Sequence, residues 1–181
     1  MAVYMVIASS LRLNDYNKNF IIAANLAREE IEYFKNIRDV NYVNIHKWTQ
    51  IHPNGSYVHN DDFFTPGSYY TLENDYSPTS TFPIKVQKIP DFWEGLSFLN
   101  TKMQNYRLCL DSEKKYTYNC SEWNEKTYFY RFLRVEPLEY MSWGLDYIEP
   151  DGLKITAKVI WYQRGYNDTD ISTIVTDWKR L

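Results

Sequence analysis

The sequence predicts an α+β fold: a mostly antiparallel β-sheet, built chiefly as a C-terminal meander, with one long N-terminal helix and one shorter helix packed on it. Three observations carry this. Apolar residues recur at helical spacing between Phe20 and Phe34. From Tyr106 onward, runs rich in β-branched and aromatic residues are separated by short turn signals with no helical pattern between them. Around Asp151-Gly152, two alternating runs face each other across a dipeptide suited to a tight hairpin turn. At 181 residues the chain has room for one well-buried core, and 1–181 reads as a single domain.

Taken in order, the apolar opening Ala2 to Ala8 is expected to be a first strand. It has no basic residue before it and too short an apolar core for a signal peptide. Asn14 or Asp15 then caps a helix running to Ile37 or Arg38. Its stripe is Phe20, Ala23, Ala24, Ala27, Ile31 and Phe34, with Arg28, Glu29, Glu32 and Lys35 outside it. The small residues allow a close approach to a sheet. Val40 to His46 is expected to be a short strand. From Thr49 to Thr81 the chain is dense in Pro, Gly, Asn, Asp and Ser, which excludes a helix. Either short strands form at Ser56–Val58 and Ser68–Leu72, or the segment is an arm that packs its rings on a partner.

Asp91 and Glu94 have the spacing of a capping box, with Phe92, Leu96, Leu99 and Met103 on one face of the shorter helix. Strands follow at Tyr106–Leu110, Lys115–Cys120, Lys126–Val135 and Asp170–Trp178, together with the hairpin from Leu145 to Gln163. In that hairpin Pro150 is expected opposite Leu153, Ile148 opposite Ile155 and Asp146 opposite Ala157, giving one apolar and one polar face.

Chemistry is sparse. The six glycines are never two apart, so neither a dinucleotide fingerprint nor a phosphate-cradling loop is present. Hydrolase, zincin, Cys-x-x-Cys and calcium-loop patterns are absent as well. No catalytic residue and no cofactor are predicted. The weak metal candidates are His46, His52 and His59, followed by Asp61 and Asp62; imidazole and carboxylate suit zinc or non-haem iron. Their intervals of six and seven match neither a helix face nor a strand face. Carboxylate pairs such as Glu136 with Glu139, or Asp168 with Asp170, are what any acidic chain offers. Cys109 and Cys120 are too few for a disulfide framework, and a tight hairpin at Asp111–Lys114 would leave them out of register, so reduced thiols are expected. The sequons at Asn54, Asn119 and Asn167 are of a kind that an Asn-, Ser- and Thr-rich chain makes by accident.

Net charge is −3 and the basic residues are scattered, which disfavours nucleic acid. No apolar run approaches the roughly 20 residues that cross a bilayer. Aromatic content is 18% with 17 tyrosines, so contact surface is the distinctive offering. The reading reached is a non-catalytic assembly protein, such as a virus or phage particle subunit, working through contacts with other protein subunits or copies of itself and located in the cytoplasm or virion. Its expected interface is Tyr57, Phe63, Phe64, Tyr69, Tyr70 and Tyr76. A stoichiometric inhibitor or immunity-type protein is the alternative, since an acidic domain can cover a basic site. A metal-dependent hydrolase using the histidine loop is the third. Of the tryptophans that could form a sugar platform, Trp161 shares a strand face with Val159 and Ile155 and belongs in the core.

Overall fold

The computed structural model describes residues 2–51, 63–74, 84–89, 106–138, 152–163 and 165–177. One helix, α1 (Ala2–Val43), is followed by seven strands: β1 (Tyr69–Asn74), β2 (Ile84–Ile89), β3 (Arg107–Leu110), β4 (Tyr116–Thr117), β5 (Glu125–Pro137), β6 (Gly152–Tyr162) and β7 (Tyr166–Thr176). All their pairings are antiparallel. The α+β class with its long helix and antiparallel sheet is therefore as expected. The shorter helix, expected from Asp91, falls outside the described residues.

β5 is the axis of the sheet. Along one edge it pairs with β6, which in turn pairs with β7. Along its other edge it is shared, with β1 near Leu133–Arg134 and β3 near its start. β1 carries β2 outward, and β3 carries β4. The helix lies on the face where Phe129, Leu133 and Val135 of β5 meet Leu153, Ile155, Ala157, Val159 and Trp161 of β6, all of them buried. Ala23, Ala27, Ile31 and Phe34 of the predicted stripe are in this core, joined by Leu26 and Ile37, while Phe20 is exposed.

Four sequence-based expectations give way. Ala2–Ala8 and the first part of Val40–His46 are helix, not strand. Neither Gly nor Pro occurs before Pro53, so nothing interrupts the helix, and extending an existing helix avoids the cost of nucleating a new element. Asn14 and Asp15 are accordingly interior, exposed helix residues rather than caps. The hairpin partner is also different: Leu153, Ile155 and Ala157 lie opposite Pro137, Val135 and Leu133 on one side and opposite Val175, Thr173 and Ile171 on the other. Both edges of β6 are occupied, so the places expected for Pro150, Ile148 and Asp146 are filled by β5 and β7. Asp151 and Leu145–Pro150 lie outside the described residues. Gly152 opens the strand instead of making a left-handed turn. An added Cβ there would lie 2.4 Å from Leu138 Cδ1 and 3.2 Å from Thr176 Cγ2, so its small size serves close packing.

The fourth concerns the cysteines, which form a disulfide with Cα atoms 5.4 Å apart. The turn falls at Asp111–Lys114 as expected, with Asp111 Oδ1 accepting the amides of Glu113 and Lys115 at 2.8 Å. Cys109 sits opposite Thr117, however, and β4 ends there. The next three residues leave the ladder, which brings Cys120 back to Cys109. Irregularity in the β3–β5 register falls at the same place, between Arg107 and Cys109.

α1 ends in a Schellman motif: the amide of His46 donates to Asn41 O at 2.9 Å and that of Ile45 to Tyr42 O at 3.3 Å. The left-handed position is taken by Ile45, at φ 61°, where glycine is the usual occupant. Ile45 is 91% exposed, so no burial compensates the strain on a β-branched residue. Ile45→Gly is expected to raise the unfolding free energy by about 1 kcal/mol, measured by urea denaturation.

Candidate functional site

Two features stand apart from ordinary core and surface. The first is a knot of charge between α1 and the sheet. Period two along β5 puts Arg131 on the same face as Phe129, Leu133 and Val135, where it is only 1% exposed. Glu30 stands on the buried face of α1 between Ala27 and Phe34, fully buried. Arg131 Nε lies 2.8 Å from Glu30 Oε2, but its hydrogen is aimed at the Tyr118 hydroxyl at 3.3 Å, so this contact is charge pairing more than a directed hydrogen bond. Nη1 donates to Glu29 Oε2 at 2.6 Å and Nη2 to Leu72 O at 3.1 Å. Glu30 Oε1 accepts the Leu72 amide at 2.9 Å.

Aromatic rings close the knot. The guanidinium stacks near Tyr33 at 5.5 Å and Tyr118 at 5.7 Å. Tyr33 donates its hydroxyl to Glu29, and Tyr118 donates its own to Arg131 O at 3.0 Å. Glu73 of β1 accepts the Tyr118 amide at 3.0 Å and the Thr117 hydroxyl. Glu30 thus sits in the field of one guanidinium, Arg131, and of two further carboxylates, Glu29 and Glu73. Burial is the main force on Glu30 and outweighs the attraction of Arg131, raising its pKa from 4.5 to about 7. The Tyr118 phenol is pushed up, by burial first and then by Glu30. This knot joins helix, β1, β5 and the segment after β4, and it fastens α1 to the sheet.

The second feature is the N-terminal third of the helix. Among the described residues, the side-chain contacts nearest its N-terminus are a ring contact of Tyr16 with Trp161 of β6 at 6.1 Å and the Asn19 amide donated to the side chain of Gln163, just past β6. Beyond these, α1 runs on for about 20 Å. Val3, Tyr4, Met5, Val6, Ile7, Leu11 and Leu13 are all exposed there, Tyr4 at 78%. At 100° per residue, the five consecutive residues Val3 to Ile7 go completely round the helix. No helix among the described residues is long and apolar enough to cross a membrane.

The residues singled out from sequence are distributed differently. Phe63, Phe64, Tyr69 and Tyr70 are buried within this chain, with Phe64 packed 4.7 Å from Phe34 and 5.0 Å from Tyr70. These four rings belong to the chain's own core, where the expected interface residues were to be exposed; Tyr57 and Tyr76 lie outside the described residues. His46 follows the end of α1 and is partly exposed, while His52, His59, Asp61 and Asp62 are outside the described residues. Among the described residues no cluster of three or more His, Cys, Asp or Glu could hold a metal. Glu136 pairs with Arg134 at 3.2 Å and Lys154 at 3.4 Å, and Asp168 with Lys158 at 3.1 Å, on the sheet face away from α1. Trp161 is buried as expected, whereas Trp123, in the turn before β5, is 92% exposed.

Sequence reasoning missed both features. A charge in line with apolar neighbours at period two in β5, and another at helical spacing in α1, was the available signal for the knot. An apolar run continuous with a helix and free of breakers was the signal for the projecting third. No protein-family model, curated protein or solved structure matches this chain.

Proposed function

We propose that this protein is a non-catalytic structural subunit of a larger assembly, in which the N-terminal part of α1 is enclosed by helices of other subunits. The supporting observation is the all-round apolar surface of Val3 to Ile7, continued by Leu11 and Leu13. With Tyr16, Phe20 and Ile21, ten exposed apolar side chains lie within nineteen residues. Together they offer on the order of 1,000 Å², above the 300–600 Å² of the largest patch on an ordinary monomer. A flat partner would cover one side of such a helix and leave the rest wet. A bundle covers every side, and the sparse charge of this stretch, with Arg12 its first ionised side chain, suits that setting. The sheet then serves as the part presented outward. A virus or phage particle would be one assembly of this kind.

The test is light scattering with size-exclusion chromatography over a dilution series. The intact chain is expected to associate, and Ile7→Asp with Leu11→Asp to be monomeric yet folded, with unchanged β-sheet circular dichroism and a melting temperature that no longer depends on concentration, because both side chains lie outside the core. A chain that stays monomeric at every concentration, alone and with lipid vesicles absent or present, would remove the basis for this reading. Uptake by vesicles in place of self-association would point to lipid as the surrounding phase instead.

A further inference from the structure

The two residues of β4 and the three that follow form a flap over the charge knot. Tyr118 supplies a ring beside Arg131, a hydroxyl to Arg131 O and an amide to Glu73; Thr117 supplies its hydroxyl to Glu73. As a strand the flap is held weakly, although Tyr116 and Tyr118 pack against the core. β4 has two register pairs with β3, and among the described residues no strand pairs with its other edge; so short a ladder is marginal on its own. Its covalent tie is Cys120 to Cys109, and Cys109 is anchored in the core of β3. Cys120 is partly exposed while Cys109 is buried, so a thiol in solution approaches the bridge from the Cys120 side.

We propose that the Cys109–Cys120 disulfide is a redox latch on the seat of α1: its reduction by a dithiol releases the Tyr116–Cys120 flap, admits water to Arg131 and Glu30, and loosens the helix from the sheet. A thiolate of the dithiol attacks Cys120 Sγ, the S–S bond breaks, and Cys109 leaves as a thiolate that takes up a proton. The second thiol of the reductant displaces Cys120, which is protonated in turn, and the reductant departs as a cyclic disulfide. Two electrons and two protons have then passed to the cysteine pair. The latch is closed in the oxidising surroundings where disulfides persist. It does not depend on what the projecting helix packs against.

The groups facing Glu30 are Arg131 from β5, Glu73 from β1, Tyr118 from the flap and Glu29 from its own helix. With the flap released, water reaches this set and Glu30 titrates as an ordinary carboxylate. Hydrogen–deuterium exchange of the full chain, oxidised and after dithiothreitol, tests the latch. Exchange is expected to rise about tenfold or more at residues 115–120 and at the Leu72 amide, which Glu30 accepts, while β6 and β7 stay protected. The pH dependence of the melting temperature between pH 5 and 8 should also flatten in Cys109→Ala with Cys120→Ala. Unchanged protection at Leu72 would overturn the proposal. So would simultaneous loss of protection throughout the chain, because the bridge would then hold the whole fold, and so would an unchanged pH profile in the reduced protein.

Discussion

Arg131→Met is expected to lower the unfolding free energy by about 3–5 kcal/mol at pH 8, measured by denaturant titration. Methionine keeps much of the arginine stem's bulk and removes its charge. Glu30 is then left buried, with the Leu72 amide as its remaining donor, and Leu72 O loses the donor it has in Nη2. The cost comes from the stranded carboxylate more than from the lost pair. At pH 5, where Glu30 carries its proton, the same substitution should therefore cost markedly less. Adding Glu30→Met should recover most of the loss, because two apolar side chains in place of a buried pair are often neutral. Additive losses in the two single variants and the double variant would mean that the residues are not coupled, and the knot would not be what seats the helix.

How much of this was legible beforehand differs by element. The buried face of β6 was readable because alternation at Leu153, Ile155, Ala157, Val159 and Trp161 is a local property, and it survives any choice of neighbour. The neighbours were not readable. Asp151-Gly152 is a strong turn signal only if the glycine needs a left-handed backbone, and Gly152 is needed for its missing Cβ against Leu138 and Thr176. Sequence cannot separate those two uses of glycine. β2 was missed although Ile84-Lys-Val-Gln-Lys-Ile89 nearly alternates, with Ile84 and Val86 buried and Lys85 and Gln87 exposed; the prolines at 83 and 90 mask it as a loop. The first strand failed for a different reason. Val3 to Ile7 have strand-forming side chains, but β propensity expresses packing on a pleated surface, and this stretch is continuous with a long helix instead.

For the candidate site the limit lies in long-range geometry. Glu29, Glu30, Glu73, Thr117, Tyr118 and Arg131 come from four parts of the chain, and the Glu29–Arg131 contact spans 102 positions. Glu29 was placed outside the helical stripe, and it is indeed half-exposed, yet its carboxylate reaches back to the guanidinium. Of the two readings of Thr49–Thr81, the strand expected at Ser68–Leu72 is realised as β1, Tyr69–Asn74. Phe63 and Phe64, in the loop before it, are buried with Thr49, Gln50 and Ile51, through the Gln50–Phe63 bridge and the Phe64 amide donated to Thr49 O at 2.9 Å. Backbone pairing, which composition does not reveal, turned that loop inward.

Stability should fall as pH rises from 4.5 to about 7, with Glu30 contributing about 3 kcal/mol of the change. In the folded chain Glu30 holds its proton up to about pH 7, whereas in the unfolded chain it releases it near 4.5. Between those values the native state binds more protons, so each step upward favours unfolding. The contribution is complete below pH 4.5 and gone above about pH 7. This is opposite to the usual paired carboxylate, whose depressed pKa makes stability grow with pH. Burial reverses the sign because the one guanidinium is shared with Glu29 at 2.6 Å, and Glu73 adds further negative field. Glu30→Gln is the discriminating variant. Its amide oxygen still accepts from the Leu72 N–H, and Arg131 keeps Glu29 as its ionised partner, but its NH2 then faces Arg131 Nε where Glu30 Oε2 stood at 2.8 Å, a cost that does not change with pH. The variant should therefore lose the downward slope between pH 5 and 8, so that its stability relative to the native chain improves by about 3 kcal/mol over that range. If the difference between the two proteins instead grows with pH, the attraction of Arg131 outweighs desolvation and Glu30 stays ionised in the native state. Thermal or urea unfolding of both proteins at half-unit pH intervals decides between the two signs.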